Sequence, residues 1–286
     1  MTTNKTNLSD TKCAPHIKFD GISCIKLDML IEMASAYNKS VKKEIIKLSK
    51  NKETLNPVKY KEYLIKEFNR HIGDTCSTQE CWTKQDFIKH LQNQSQEEIS
   101  KYTFRPQGPE GKFEWLNTYN INDVMKQYEK KHKDFKYLGT VPLDFESIPL
   151  YGINNFNVKE LYNKGIKSIG LVINFDKSGG SGSHWVGLYA HFEKGVYYFD
   201  SYGTRPKPLI RSFMRKIFKQ SKYLFSDKKI IASYNKIRHQ YKNSECGVYS
   251  MNFIIRMLEG EKFESICESR TSDDEIHKYR QKYFLN

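Results

Sequence analysis

Cys246 occupies a position in the sequence at which a thiol can be reactive. It follows Ser244-Glu245 and begins an apolar run that covers residues 246–258 and stops at Gly260. This pattern predicts a helix of about a dozen residues with the cysteine in its first turn. Because the first N–H groups of a helix are unsatisfied and its dipole is positive there, a thiol at this position is favoured as the nucleophilic thiolate. Taken alone, a buried structural cysteine is the commoner interpretation.

A cysteine nucleophile needs a base, and His184 is the best placed of the eight histidines, since it opens an alternating strand after a Gly/Ser-rich loop. Asp200 follows it by 16 positions, at the end of the next strand. With residues 193–195 as the hairpin turn, Asp200 pairs opposite Leu188, which puts His184 and Asp200 on one face of the ribbon. This register leaves them four residues apart, roughly 13 Å, so a bulge or a loop position for His184 must close the gap.

Two further side chains belong to the same candidate site. Gln240 precedes Cys246 by six residues, and its amide, with the backbone N–H of Cys246, could form an oxyanion hole. A lone Gln is otherwise an ordinary polar loop residue. Trp185 adjoins His184 and is predicted to be a packing wall beside the substrate cleft rather than a participant in the chemistry.

The elements that position these residues follow from the periodicity of the chain. Residues 1–104 are predicted to form a helical N-terminal arm domain, with apolar residues at helical spacing over residues 27–34, 41–48, 60–71 and 83–91. Two prolines and two glycines within residues 105–111 end this pattern and mark the domain boundary.

Residues 105–286 are predicted to form the second domain. Helical patterns cover residues 123–132 and 208–219, and strand patterns cover residues 168–175, 185–192, 196–199 and 230–234. The fold class is therefore α+β, with a small mixed, partly antiparallel sheet, a helix carrying the cysteine and an all-α arm.

The composition restricts the class of protein. The 286 residues carry 47 Lys+Arg against 33 Asp+Glu, a net charge of +14, and 14% of them are aromatic, which is too many for a disordered chain. The charge is spread along the whole sequence, and no zinc-finger, RNP or P-loop motif is present. Weak, non-specific association with nucleic acid through the basic surface is therefore the most that the charge predicts.

The six cysteines are considered one by one rather than as a disulfide framework, and the thiols of the arm are expected to be reduced, with an oxidised pair inside a virus particle as the alternative. No apolar signal-peptide region or membrane span is found, which predicts an intracellular, reducing compartment in which disulfides are rare. Cys76 and Cys81, near His71 and His90, have spacing at the wide end for zinc and no second close pair, so no metal and no cofactor is predicted.

The site residues occur in the order His184-Trp185, Asp200-Ser201, Gln240 and Cys246-Gly247. This order resembles the clan of the adenovirus proteinase and the ubiquitin-like-protein proteases, whereas papain-like enzymes place the cysteine first. Within the clan, the sequence resembles the viral polyprotein-processing proteases of the African swine fever virus type. Segments that carry this closer resemblance are residues 237–240, 245–250 and 270–275, with 108–109, 120–122, 144–146 and the Cys76…Cys81 pair.

The resemblance runs from about residue 74 to the C-terminus and is weak before that. It implies a helical N-terminal arm on a papain-like core in this clan's permuted order. It also implies cleavage after Gly-Gly in structural polyproteins during virion maturation, in the host cytoplasm and the virion. Proteases of the swine fever type have Asn where this chain has Asp200, which is more similar to the SUMO proteases. Either residue can orient the histidine.

Two other functions remain open. Ubiquitin-like modifiers also end in Gly-Gly, so a SUMO-type protease is one alternative. A basic, nucleic-acid-binding virion protein with a vestigial protease fold is the other, although an intact His, Asp, Gln and Cys set argues against it. The sequence leaves the oligomeric state, any activator and the role of the arm undetermined.

Overall fold

The computed structural model describes residues 7–49 and 56–286, and the chain divides into two compact units. One comprises residues up to Pro106 together with Leu285, and the other comprises Gln107–Phe284 together with Asn286. The contacts separate after Pro106, whereas the sequence placed the boundary between residues 104 and 105. Among the described residues, no helix is both long and apolar enough to cross a bilayer.

The first unit is helical. Its helices are α1 (Leu27–Ser40), α2 (Pro57–Ile72), α3 (Gln79–Trp82) and α4 (Asn93–Tyr102), with 3₁₀ turns at Leu8–Thr11 and Asp86–His90. The core contains Leu30, Met33, Leu64, Phe68 and Trp82, all fully buried. Asn56 caps α2 by accepting hydrogen bonds from the N–H groups of Val58 and Lys59, and Pro57 fits the first helical position.

The predicted helix over residues 41–48 is wrong. After α1 the chain turns, Lys42 adopts a φ of 53°, and the Asn38 side chain takes over the backbone groups that a helix would need. Asn38 Oδ1 accepts from the N–H groups of Ile45 and Ile46, and its Nδ2 donates to the Ile46 carbonyl. A short amide side chain that satisfies local backbone groups in this way competes directly with helix formation.

The expectation of reduced thiols in the arm is also wrong for this structure. Cys13 is bonded to Cys24 and Cys76 to Cys81, with Cα atoms 5.2 and 5.6 Å apart, within the range that disulfides span. Cys246 and Cys267 are free and buried.

The second unit is built on a five-stranded sheet in the order β1-β2-β3-β4-β5. The strands are β1 (Phe135–Val141), β2 (Ser168–Asn174), β3 (Trp185–His191), β4 (Gly195–Phe199) and β5 (Ile231–Tyr234). The two outer pairs are parallel and the two inner pairs antiparallel, so the predicted mixed sheet is confirmed. The helices are α5 (Thr118–Lys131), α6 (Val158–Asn163), α7 (Pro208–Leu224), α8 (Cys246–Leu258), α9 (Phe263–Glu268) and α10 (Asp273–Tyr283).

Helices cover both faces of this sheet, and alternation along the strands explains how. Leu171 and Leu188 point to one face, where they share a core with α7, while Val172 and Tyr189 point to the other, where they share a core with α8. Gly187 allows α8 to approach closely, because a Cβ there would lie 2.8 Å from the Phe253 ring. The central strands thus hold α8, and with it Cys246, against the sheet.

Candidate active site

Cys246 is the first residue of α8, as the sequence predicted. It is a free cysteine with 3% of its surface exposed. The residue before it, Glu245, occupies the N-cap position but makes no side-chain cap hydrogen bond. The first N–H groups of α8 are therefore not capped by that carboxylate, and they contribute positive potential at the thiol.

His184 lies directly before β3, and its backbone carbonyl accepts a hydrogen bond from Phe175 N–H at 2.9 Å. Its Nε2 lies 2.7 Å from Asp200 Oδ1. Because an ionised carboxylate only accepts, Nε2 carries the proton of this bond. Nδ1 is left for Cys246, which is close enough to raise the pKa of the imidazole.

The predicted hairpin register is wrong by two residues. Tyr198, not Asp200, lies opposite Leu188, because His191 pairs with Gly195 and the connection consists of residues 192–194. The same register extended by one pair places Asp200 beside the start of β3. The offset from His184 then falls from four residues to two, roughly 7 Å along the strand, which the two side chains bridge without a bulge.

Asp200 is fully buried and held by its neighbours. Its Oδ1 also accepts from the N–H of Tyr202 at 2.9 Å, and its Oδ2 accepts from the hydroxyl of Thr204. The Asn235 side chain bonds both backbone groups of Asp200, at 2.8 and 2.7 Å. With this support the carboxylate has little freedom to turn away from His184.

The charge state of His184 reflects these contacts. Burial lowers the pKa of its imidazole, but hydrogen bonds to Asp200 and Cys246 and the attraction of their negative charges outweigh burial and raise the pKa to about 9. His184 is therefore favoured as the imidazolium cation at neutral pH.

Aromatic side chains fix the plane of the imidazole. Tyr202 stacks on it with ring centroids 4.5 Å apart and an interplanar angle of 18°, and Phe175 meets it edge-on at 5.1 Å. Arg238 lies over the Tyr202 ring at 5.2 Å and donates from Nε to the Gln240 carbonyl at 2.7 Å. Sequence reasoning missed Tyr202, Arg238 and Asn235, although Tyr202 stands only two residues after Asp200.

Gln240 is fully buried, and both ends of its amide are held. Its Oε1 accepts from the Ser201 hydroxyl at 2.6 Å, and its Nε2 donates to the Lys242 carbonyl at 2.6 Å. Since Ser201 follows Asp200 directly, the Gln240 side chain is tied to the same corner of the sheet as the His184–Asp200 pair. An amide nitrogen has two hydrogens, so a second donor remains for a ligand.

Trp185 is buried and donates its indole N–H to the Leu116 carbonyl at 2.9 Å. Together with Trp115 it lines a groove of about 390 Å³, whose remaining walls include Asn174, Asp176 and the Gly/Ser-rich loop. Asp176 fixes this loop by accepting from Gly182 N–H and from the Ser183 hydroxyl. The Gly/Ser-rich loop before His184 thus forms part of a groove wall.

The structure brings His184 next to both Asp200 and Cys246. Trp185 follows His184 directly, and Gln240 is hydrogen-bonded to Ser201, the residue after Asp200. In residues 7–49 and 56–286, no group of three or more His, Cys, Asp or Glu side chains is arranged to hold a metal ion.

Comparisons with known proteins identify the family of the chain. The model of the Ulp1 protease family, C-terminal catalytic domain, matches residues 154–286. A protein of Acanthamoeba polyphaga mimivirus named "Putative thiol protease" is 38% identical over 271 residues, covering 92% of this chain and 89% of that protein. A "SUMO-1 cysteine protease" of African swine fever virus (isolate Pig/Kenya/KEN-50/1950) is 25% identical, covering 98% of this chain and 97% of that protein.

The crystal structure of an African swine fever virus protease shows the same fold, with a TM-score of 0.67 over 96% of this chain and 95% of that one, at 22% identity. The alignments with these relatives cover 92% and 98% of this chain, so they extend into the part before residue 74, where the sequence predicts only a weak resemblance. Its sequence and its fold agree: this chain belongs to the Ulp1 protease family and is a cysteine protease.

Proposed function

We propose that the protein is an endopeptidase that cleaves viral structural polyproteins after Gly-Gly sites during virion maturation. The observation that carries the catalytic part is the position of His184, which is hydrogen-bonded to Asp200 through Nε2 and whose pKa is raised by the neighbouring Cys246. This is the arrangement that a thiol nucleophile needs from its base, with a third group orienting the base. No cofactor is required for this chemistry.

Each side chain has a defined role in the proposed mechanism. Cys246 Sγ, as thiolate, attacks the scissile carbonyl carbon, and the His184 imidazolium then protonates the leaving amine. Asp200 holds the imidazole in orientation and stabilises its charge. The oxyanion binds the backbone N–H of Cys246 and the second hydrogen of Gln240 Nε2. Water, activated by neutral His184, then hydrolyses the thioester.

The groove beside Trp185 is where we propose that the residues before the scissile bond bind. Trp185 follows His184 directly, and Trp115 and a loop held by Asp176 are among the other walls. The viral source of the relatives supports virion polyproteins as substrates, and we place the activity in the host cytoplasm, at the site of virus assembly, and in the virion. The net charge of +14 favours weak association with nucleic acid there.

The substrate is tested with a linear protein that contains one Gly-Gly-Xaa site. Replacing the glycine before the scissile bond with alanine is expected to lower kcat/KM by about 100-fold, because the added methyl group meets the groove wall. Mass spectrometry of the products identifies the bond cut. Equal cleavage of the glycine and alanine substrates would contradict the Gly-Gly specificity.

A modifier protease is the second candidate, since the swine fever virus relative is named a SUMO-1 cysteine protease. The two kinds of protease differ in the substrate that they bind. A modifier protease binds a folded modifier and cleaves its lysine conjugate much faster than a short Gly-Gly peptide. A polyprotein protease is expected to cleave a linear precursor at least as fast as such a conjugate.

Gln240→Glu tests the proposed oxyanion donor. The substitution keeps an oxygen for the Ser201 hydroxyl and removes the N–H donor, so kcat is expected to fall by about 10²- to 10³-fold with little change in KM. Gln220→Ala is the control, since Gln220 binds the backbone of Val158 and Phe156 and has no catalytic role. A Gln240→Glu enzyme with wild-type kcat would exclude this role.

The pH profile tests the His184–Asp200 pair. With a pKa of about 9, His184 stays protonated up to that pH, so kcat/KM should fall as the pH rises through about 9. Because the folded protein binds this proton more tightly than the unfolded chain, protonation of His184 also stabilises the fold. This contribution is complete below the pKa of histidine in the unfolded chain, about 6.5, and is lost as the pH rises through about 9. Asp200→Asn removes the carboxylate charge and should move the alkaline limb to lower pH, and an unmoved limb would show that Asp200 does not set the charge of His184.

A further inference from the structure

A buried ion pair lies directly behind the proposed nucleophile. Glu245, the residue before Cys246, has 2% of its side chain exposed. Its Oε2 accepts from Arg280 Nε at 3.2 Å and Nη2 at 3.0 Å, and its Oε1 lies 3.0 Å from His277 Nδ1. Both partners lie on α10, three residues apart on one face of the helix.

The same helix holds the loop before Cys246 at a second point. Asp273, at the start of α10, accepts from the backbone N–H groups of Tyr241 and Lys242 at 2.9 and 3.0 Å. Arg280 Nη2 also donates to the Glu114 carbonyl at 2.8 Å, in the segment that leads to the groove-lining residues Trp115 and Leu116. One helix therefore anchors both the loop that carries Gln240 and Cys246 and a wall of the groove.

The position of Glu245 would be unfavourable if its carboxylate were unpaired. An acidic side chain at an N-cap ordinarily turns onto the first N–H groups of its helix, where it neutralises the positive end of the dipole. Here it would compete with the Cys246 thiolate for those groups and repel its charge. Glu245 instead makes no cap hydrogen bond and points to α10.

We propose that Arg280 is a positioning residue for the reaction: it neutralises Glu245 and holds its carboxylate off the first turn of α8, which leaves the N–H groups there to the Cys246 thiolate and the oxyanion. This inference rests on the proposed role of Cys246. Arg280 is 6% exposed and leaves Nη1 buried without a hydrogen-bond partner among the described residues. Burying an arginine nitrogen without a hydrogen-bond partner costs free energy, so an electrostatic role explains Arg280 better than packing alone.

Other ionisable groups lie near Cys246 and Glu245 and also affect the electrostatic potential at the thiol. Those near Cys246 or Glu245 are His184, Tyr202, Tyr249, Asp273 and His277. They are unchanged in the variants below, so they contribute equally to each profile.

The inference predicts shifts of opposite sign. Arg280→Met leaves Glu245 with His277 as its remaining partner, so more of the carboxylate charge acts on the nucleophile. The acid limb of kcat/KM should then move up by about one pH unit. At pH values below the acid limb of the parent, kcat/KM of this variant should be about 10-fold lower than that of the parent. Glu245→Gln removes the negative charge and should move the limb down by a similar amount. The double variant Glu245→Gln/Arg280→Met should return the limb to within about 0.3 units of the parent.

The measurement is the pH dependence of kcat/KM and, without substrate, of Cys246 alkylation by iodoacetamide, followed by mass spectrometry on the full chain. Arg256→Met is the matched control, since Arg256 pairs with Glu261 at the other end of α8 and should leave the acid limb unmoved. Arg280→Lys keeps the charge and should keep the limb, which provides a readout if Arg280→Met fails to fold.

Equal losses of activity in Arg280→Met and Glu245→Gln with an unmoved acid limb would overturn the inference and leave the pair with a structural role only. Failure of the proposed function is distinguishable, because Cys246→Ala would then still cleave substrate. If Cys246→Ala is inactive and the limbs do not move, only the role of Arg280 fails.

Discussion

Replacing Cys246 with alanine is expected to abolish peptide cleavage, lowering kcat by about 10⁴-fold or more. The reason is that the proposed reaction passes through a thioester on this sulfur, and alanine offers no nucleophile. The loss of one buried sulfur from the first turn of α8 should leave the fold intact, which circular dichroism and thermal melting would check. Steady-state cleavage of a Gly-Gly substrate measures the effect.

Cys267 provides the matched control for this prediction. It is the other free, buried cysteine, and burial raises the pKa of its thiol to about 12, with nearby Glu264 and Glu268 adding to the shift. It therefore remains a thiol at neutral pH and is a poor nucleophile. Cys267→Ala should cleave at close to the wild-type rate. If Cys267→Ala inactivates the enzyme and Cys246→Ala does not, Cys246 is not the nucleophile.

Replacing His184 with alanine is expected to lower kcat by about 10³- to 10⁴-fold at neutral pH, with a smaller change in KM. Without the imidazolium, the Cys246 thiolate loses its nearby positive charge and the leaving amine loses its proton donor. The rate of Cys246 alkylation by iodoacetamide at pH 6 should fall in parallel, because it reports the thiolate without any substrate.

His191 is the control for His184, since it ends the same strand. It is partly buried, and burial lowers the pKa of its imidazole, so it is neutral at physiological pH. His191→Ala should leave both the cleavage and the alkylation rates close to the parent values. A His184→Ala enzyme with the activity of the His191→Ala enzyme would exclude His184 as the base.

Local sequence patterns were sufficient for the elements that carry the site. The apolar run after Cys246 predicted α8, and the alternation after His184 predicted β3, because each pattern depends only on which face of a helix or strand is buried. The basic amphipathic stretch predicted as residues 208–219 is α7, which continues to Leu224. The grouping of His184 with Asp200 on one face also followed from parity alone.

Features that depend on contacts distant in sequence were missed. The hairpin register shifted because the connection uses residues 192–194, a choice that the turn sequence did not determine. Strand β1 was not predicted, since its pairing with β2 joins segments about 30 residues apart. The helix over residues 41–48 failed because the Asn38 side chain satisfies the backbone there.

A signal for α10 was present in the sequence. Ser272 and Glu275 form a capping box at its start, a pattern of Ser followed three residues later by Glu that marks helix N-termini. The ion pair of Arg280 with Glu245 could not be predicted in the same way, since the two residues are 35 positions apart and meet only in the folded chain.

The most direct test of the central claim is covalent capture. A short peptide that ends in Gly-Gly and carries an α,β-unsaturated methyl ester in place of the scissile bond forms a stable thioether with an activated thiol by conjugate addition. We predict one equivalent of label on the tryptic peptide that contains Cys246, none on Cys267, and loss of labelling in His184→Ala. Label on Cys267, or an enzyme that is fully labelled at Cys246 and still cleaves its substrate, would contradict the account.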